Sequence, residues 1–389
     1  MKVAIVHEWL ESYAGSERVV EQLLKVWPEA DLYAVCDFMP ARERGWLAGR
    51  PVHTSFIQRL PGAAKRFRWY LGLMPIAIEQ FDLSAYDLIV SSSHAVAKGV
   101  LTGPGQRHVS YVHSPMRYAW DLQHQYLRQA NLERGLKGAY TRWLLHKLRG
   151  WDQLSAARPD VVLANSSYIA ERIRKCWRRD AEVVFPPVDT ERFTLQANKQ
   201  NYFLIASRMV PYKRVELVAE AFAGMPEHRL IICGDGPSMP LVQAAAQGAA
   251  NIELRGRVSQ DELVRLTRDA RACVFAAEED FGIATVEAQA CGTPVIAFGR
   301  GGAADIVIPD ETGVLFPSQT VASLREAVQH FTAMHVSPAA CRANAERFSE
   351  ATFRAAILAA TTSSRAPEGA TSPRAAGGAT SLRAPGGAT

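Results

Sequence analysis

Short runs of β-branched and other apolar residues, each followed by a helical pattern, recur from Val3 to Phe316. Strands separated by helices do not pair as hairpins. They run parallel, and the helices cover the sheet. The runs fall into two series. Candidate strands of the first are Val3–His7, Asp31–Ala34, Leu88–Ser91, Val109–His113, Val161–Asn165 and Glu182–Phe185. Helical stretches lie between them, such as Ser16–Val26 and a long one near Glu133–Ala157. Residues 185–200, FPPVDTERFTLQANKQ, hold two prolines and no periodicity, and read as a linker. The second series is Tyr202–Ala206, Arg229–Cys233, Ile252–Arg255, Ala272–Ala276, Pro294–Ala297 and Val314–Phe316, with helices such as Lys213–Ala223. The pattern predicts an α/β chain of two doubly wound domains joined near residue 190. Ligands of such folds sit at the carboxyl ends of the strands, so two domains bring two such rims to face one cleft.

A length of 389 residues favours two domains over one, and 48% apolar with 21% charged residues is enough for two cores. The end of the chain is different. From Arg365 it reads RAPEGATSP, RAAGGATSL, RAPGGAT, a near-repeat whose single large apolar residue is Leu382. Such a stretch buries no core, and residues 363–389 are expected to form a disordered tail. The net charge of +5 suits an anionic substrate or surface only mildly. No dense basic stripe with interleaved aromatics is present, so nucleic acid is not an expected partner. The six cysteines, 36, 176, 233, 273, 291 and 341, form no C-x-x-C pair and read as reduced, buried thiols of a cytosolic protein. MKVAIVHEWL reads as a first strand rather than a signal peptide, and no apolar run is long enough to span a bilayer.

Several turns at strand ends carry chemistry. SRMVPYKR puts Arg208 and Lys213 in one strand-to-helix turn, where two cations suit a diphosphate or form a solvated basic turn. CGDGP offers Gly234 and Gly236, which let a backbone approach a ligand. Ser259 and Glu262 have the spacing of a capping box. The stretch 278–294, EEDFGIATVEAQACGTP, crowds acids around a helix start. Glu278 and Asp280 are accounted for by the helix dipole. Glu287 is not, because it lies inside an apolar helix, where a carboxylate needs partners. Sugar hydroxyls are suitable partners, and exposed N–H groups at the helix start suit a phosphate. The ligand implied is a nucleoside diphosphate sugar.

Taken together, E-x7-E at Glu279 and Glu287, SRMVPYK, GDGP and PPVDTERF resemble retaining glycosyltransferases of family 4, with the GT-B fold of two Rossmann-like domains. The resemblance covers about residues 1 to 360. HEWLESYAGSERVV (7–20) and YVHSPMRYAWD (111–121) are most similar to the mannosyltransferase B-like group, which builds bacterial O-antigen and exopolysaccharide. It implies an acceptor domain over 1–188, a donor domain over 189–345 and a helix over 346–362 returning to the first domain. It also implies roles. Glu279 would hold the donor sugar and Glu287 the ribose. Arg208 and Lys213 would hold the diphosphate, helped by Gly234 and by backbone donors at Phe281, Gly282, Ile283 and Ala284. His113 would face the sugar, and Gly15 would approach the diphosphate from across the cleft. The family loop has two glycines where this chain has Ala14–Gly15, and a methyl group at 14 resists positive φ.

The resemblance supplies no nucleophilic carboxylate, so the expected retaining mechanism is same-face attack, with the departing phosphate taking the acceptor's proton. No metal and no cofactor are expected, since no D-x-D is present and the cations neutralise the leaving group. The expected reaction moves a hexose, mannose from GDP-mannose, onto a glycan or polyprenyl-diphosphate-linked acceptor. KRFRWYLGLMPIAI (65–78) and RGLKGAYTRWLLHKLRGW (134–151) mix cations, aromatics and apolar residues. They fit either a peripheral contact with the cytoplasmic face of the inner membrane or ordinary helices packed on the first domain. The alternatives are a non-catalytic nucleotide-sugar binding module and a nucleotide-sugar epimerase. A nicotinamide site is disfavoured, because HEWLESYAGSE, not G-x-G-x-x-G, follows the first strand.

Overall fold

The computed structural model describes residues 1–362, and the expected repeat tail at 363–389 lies outside them. Thirteen strands are present among the described residues. The first seven are β1 (Val3–Leu10), β2 (Asp31–Asp37), β3 (Val52–Thr54), β4 (Leu88–Ser93), β5 (Arg107–Val112), β6 (Val161–Ala164) and β7 (Glu182–Val183). They form one sheet in the order β3-β2-β1-β4-β5-β6-β7. The other six are β8 (Phe203–Ala206), β9 (Leu230–Cys233), β10 (Ile252–Gly256), β11 (Ala272–Phe275), β12 (Val295–Phe298) and β13 (Gly313–Phe316). Their order is β10-β9-β8-β11-β12-β13, and every pairing in both sheets is parallel.

Parallel strands buried on both faces are apolar throughout, which is why they are legible as short runs. The short strand β3 was not anticipated, since VHT alone gives little signal. Each sheet changes winding direction once, between β1 and β4 in the first and between β8 and β11 in the second. At such a point the flanking loops diverge to opposite faces and leave a crevice. The helix expected over Lys213–Ala223 starts at Val215. Pro211 opens a 3-10 turn that ends at Arg214 with φ +53, and this left-handed residue separates the turn from the helix.

The terminal helix Glu350–Thr362 lies on the first domain. Phe353, Ile357 and Ala360 are buried among Val3, Ile5 and Leu23, and Phe353 meets the Tyr111 ring edge-on at 5.6 Å. All six cysteines are free and buried. Among the described residues no helix is long and apolar enough to cross a membrane. The two mixed segments of the first domain come together, since a Cβ on Gly72 would stand 3.0 Å from Leu144 of the long helix Gly135–Ser155. Trp69, Leu73 and Ile76 of one segment and Leu136, Tyr140 and Trp143 of the other are exposed.

Candidate active site

The two switch points face each other across a cavity of about 1070 Å³. On the second domain, the loops after β8 and β11 carry the cations and the acids. Lys213 Nζ lies 2.5 Å from Glu279 Oε1. Arg208 is exposed in the same cavity, and no ion pair or hydrogen bond holds its side chain among the described residues. An exposed cation without a partner suits an incoming anion.

The backbone of Glu279 is clamped by the loop after β12. Gly302 N donates to Glu279 O at 2.9 Å, and Cβ atoms on Gly301 and Gly302 would stand 2.2 Å from Glu279 O and Phe281 Cα. The sequence GRGG at 299–302 carries the signal of this close approach. Phe281 is buried against Phe185 and Phe348. Gly282, at φ +105, then turns the chain into the helix Ile283–Ala290. The first N–H groups of that helix have no carbonyl in the preceding turn, and Phe281, Gly282, Ile283 and Ala284 all line the cavity.

Glu287, one turn further, has a partner that no local pattern revealed. Arg18 Nη1, from the first helix of the first domain, donates to Glu287 Oε1 at 3.0 Å. Asp280 is a second bridge between the domains rather than a complement to the helix dipole. Its carboxylate faces Arg117 Nη1 at 3.1 Å and Arg172 Nη1 at 3.3 Å. Burial pushes the Asp280 carboxyl up, and the charges of Arg117 and Arg172 pull against it. Arg172 also holds Asp121, which therefore does not cap the next helix.

Gly234 stands apart from the other residues expected at the site. It does not line the cavity. Its φ is +132, and a Cβ there would stand 1.9 Å from Ser207 O. The backbone that approaches Gly234 is the Ser207–Met209 segment, braced by Ser207 N to Cys233 O at 3.0 Å and Met209 N to Asp235 O at 2.9 Å. Gly234 thus supports the loop that presents Arg208. Ser259 caps its helix as read, but Glu262 turns to Arg255 and Arg265 instead of completing the box.

The opposite wall belongs to the first domain. Ala14 is extended, at φ −137 and ψ −158, so the loop tolerates its methyl group. Gly15 lies against the second domain, where a Cβ would stand 3.2 Å from Ile283 Cδ1. Glu17 reaches back to Ala14 N at 3.1 Å and fixes the helix start. At the β1–β4 switch point, Glu8 is fully buried and accepts from the Ser93 hydroxyl and from the N–H groups of His94, Ala95, Val96 and Ala97. Burial raises this carboxyl, but the His94 charge and the N–H groups outweigh it and hold it below the usual range.

His113 follows β5 and lines the cavity beside His94, Ser114 and Arg117. Its Nε2 is 2.8 Å from Ser92 Oγ, and Ser92 Oγ is 3.2 Å from His7 Nδ1. Burial, with His94 and His7 nearby, pushes the His113 imidazole well below its ordinary value, so the ring is neutral at neutral pH. The loop carrying His113 is anchored from behind. Trp120 Nε1 donates to the buried Asp152 at 2.8 Å, and Asp152 also pairs with buried Lys98 at 2.5 Å.

The cavity therefore gathers Gly15, His113, Arg208, Lys213, Glu279, Phe281 to Ala284 and Glu287, and leaves out Gly234. Arg18 and His94 join it. Its chemistry is anion binding flanked by carboxylates. The family described as Glycosyltransferase Family 4 matches residues 13–192, and Glycosyl transferases group 1 matches residues 188–348. The chain has the GT-B fold.

Solved GT-B structures superpose over nearly the whole chain. The lipopolysaccharide outer core galactosyltransferase WaaB, in apo form, has a TM-score of 0.64 at 17% identity, over 92% of this chain and 99% of its own. HepE of Anabaena, in complex with UDP and glucose, has a TM-score of 0.63 at 18% identity, over 92% and 98%. A GDP-mannose-dependent alpha-(1-6)-phosphatidylinositol monomannoside mannosyltransferase of Mycobacterium tuberculosis is 28% identical over 219 residues, 46% of this chain and 56% of that protein. The chain spans about half the length of the curated relatives it matches.

Proposed function

We propose that this GT-B chain is a retaining glycosyltransferase that moves a hexose, mannose from GDP-mannose, onto a glycan or polyprenyl-diphosphate-linked acceptor in bacterial surface polysaccharide synthesis. One observation carries this reading. A free Arg208, a Lys213–Glu279 pair, an open helix start and Glu287 converge on one cavity opposite His113. The diphosphate lies against Arg208, Lys213 and the helix start. The donor sugar reaches Glu279 and His113, and the ribose reaches Glu287.

Breaking the glycosyl–phosphate bond puts charge on the diphosphate. Preorganised cations and N–H groups stabilise that charge, each contributing about 3 kcal/mol. In this reading Arg208 and Lys213 supply the positive charge, without a metal or cofactor. The acids lining the cavity, Glu278, Glu279, Asp280 and Glu287, all come from the second domain, and three of them are engaged by Lys213, Arg18, Arg117 or Arg172. That favours same-face attack, in which the leaving phosphate oxygen takes the acceptor's proton. Neutral His113 orients the sugar and is not an obligatory base.

The mycobacterial relative's dependence on GDP-mannose supports that donor, and HepE's complex with UDP makes UDP-glucose the competing donor. The exposed Trp69, Leu73, Ile76, Leu136, Tyr140 and Trp143, with Lys65, Arg66, Lys137 and Arg142 exposed beside them in sequence, support a peripheral membrane contact near a lipid-linked acceptor. A thermal-shift screen of GDP-, UDP- and ADP-sugars, followed by turnover of the donor that binds, tests the assignment. A selective rise in Tm with GDP-mannose supports it. No shift with any nucleotide sugar overturns it, and donor binding without hydrolysis or transfer leaves a binding module.

A further inference from the structure

His113 is held from behind by groups that touch no ligand. Ser92 is fully buried and lies between two imidazoles. His7, also fully buried, places Nδ1 3.3 Å from Ser92 O and 3.2 Å from Ser92 Oγ. On its other side, His7 Nε2 faces Glu17 Oε1 at 3.6 Å. Glu17 belongs to the helix start behind the Gly15 loop, so the row runs between two walls of the cleft.

The Ser92 carbonyl sets the direction of the hydrogen bonds between His7 and His113. A carbonyl oxygen only accepts, so His7 Nδ1 must carry a proton to face Ser92 O. The Ser92 hydroxyl then accepts from His7, and its own proton points to His113 Nε2 at 2.8 Å. A nitrogen that accepts carries no proton. A neutral His113 therefore keeps its proton on Nδ1. Ser92 engages Nε2, and His113 lines the cavity, which leaves Nδ1 as the nitrogen for a ligand. The ring cannot turn freely, because Tyr111 and His94 meet it edge-on at 5.3 and 6.3 Å.

The geometry points to His7 and Ser92 as positioning residues that fix His113 in its Nδ1–H tautomer, a hydrogen-bond donor aimed at a sugar oxygen in the cleft. The identity of that oxygen's owner rests on the glycosyltransferase reading, whereas the tautomer does not. With Nδ1–H the ring offers a donor and cannot take a proton from an acceptor hydroxyl at that atom.

The test uses the full-length protein labelled with nitrogen-15 histidine, without any sugar nucleotide. Long-range proton–nitrogen correlations distinguish the two neutral tautomers, and His113→Gln identifies the His113 signals by their loss. At neutral pH the wild type is expected to give the Nδ1–H pattern for His113. Ser92→Ala should shift it toward the Nε2–H form that neutral imidazole favours in water, and Ser92→Thr, which restores a hydroxyl, should shift it back. His7→Leu should give a mixture of the two. An Nε2–H pattern in the wild type overturns the inference whatever the variants do. An unchanged pattern in a folded Ser92→Ala overturns it too. Since no donor is present, failure here is separable from failure of the glycosyltransferase assignment.

Discussion

Arg18 and Glu287 lie 269 positions apart in sequence, yet the guanidinium of one donates to the carboxylate of the other at 3.0 Å across the cleft. The pair joins the first helix of one domain to the helix Ile283–Ala290 of the other. Glu287 is also the residue proposed to hold the ribose, so domain approach and donor binding share one carboxylate. Glu287→Ala removes a charged hydrogen-bond acceptor worth about 1.5–3 kcal/mol. It should lower kcat/KM for the donor by about 10- to 100-fold. Arg18→Ala is expected to have a smaller effect, about fivefold in donor KM, because a partly exposed pair contributes only about 1 kcal/mol. Steady-state kinetics on the two single variants and the double variant give the coupling directly. Wild-type kinetics for Glu287→Ala remove it from the donor site.

Arg208 allows function to be separated from folding. Its side chain is exposed and makes no ion pair among the described residues, so Arg208→Ala should leave Tm unchanged, within about 0.5 kcal/mol of stability. The same variant should lose about 100-fold in kcat, as expected on removing a preorganised charge. Lys213→Ala should do both kinds of harm, since it also leaves Glu279 without its partner at 2.5 Å. Calorimetry and a donor-turnover assay on the same preparations tell the two apart.

Gly234 separates a supporting role from a ligand-binding one. Gly234→Ala would place a methyl group 1.9 Å from Ser207 O at a φ of +132. Stability should fall by at least about 2 kcal/mol, seen as a lower Tm in the absence of any ligand. An unchanged Tm with weakened donor binding would return Gly234 to the ligand site.

The two winding series, the linker and the E-x7-E spacing are legible because they are local: apolar runs, prolines and a carboxylate inside an apolar helix. A glycine reveals that something comes close but not what, and Gly234, Gly301 and Gly302 all lie against backbone that local sequence does not name. Asp280 and Arg18 were missed for another reason. Their partners come from the other domain, and an acid at a helix start or an arginine on an amphipathic helix already has a sufficient local explanation.

Acid should destabilise this fold early. His108 is buried, its Nε2 is 2.8 Å from Ser91 Oγ, and burial, with Arg179 and Arg158 nearby, pushes it down to about 3. Unfolded histidine titrates near about 6.5. Above that pH both states are neutral and the group has no effect. As pH falls below it, the unfolded chain takes up a proton that the folded one refuses, so stability drops until about pH 3. Glu17 adds to this lower down. Burial raises its carboxyl, but the neighbouring His7 and the Ser16 hydroxyl, which donates to it at 2.9 Å, outweigh that and hold it below its ordinary value. Its stabilisation is present above the unfolded carboxylate range and is lost as pH falls through the depressed folded value. Tm should hold near pH 7 and decline from about pH 6.5 down to about 4, and His108→Gln should flatten the upper part of the decline.

The exposed apolar face of the first domain gives a separate outcome. Protein should sediment with anionic vesicles at low salt, and Trp69→Ala with Trp143→Ala should release it without changing Tm. Failure to sediment removes the membrane contact and leaves the enzyme assignment in place.

The most direct measurement is a crystal structure of the protein soaked with GDP-mannose. The expected density places the diphosphate between Arg208, Lys213 and the N–H groups of Gly282 to Ala284, with the hexose at Glu279 and His113 and the ribose at Glu287. A nucleotide sugar bound elsewhere, with those side chains unmoved and the cleft vacant, would contradict the account.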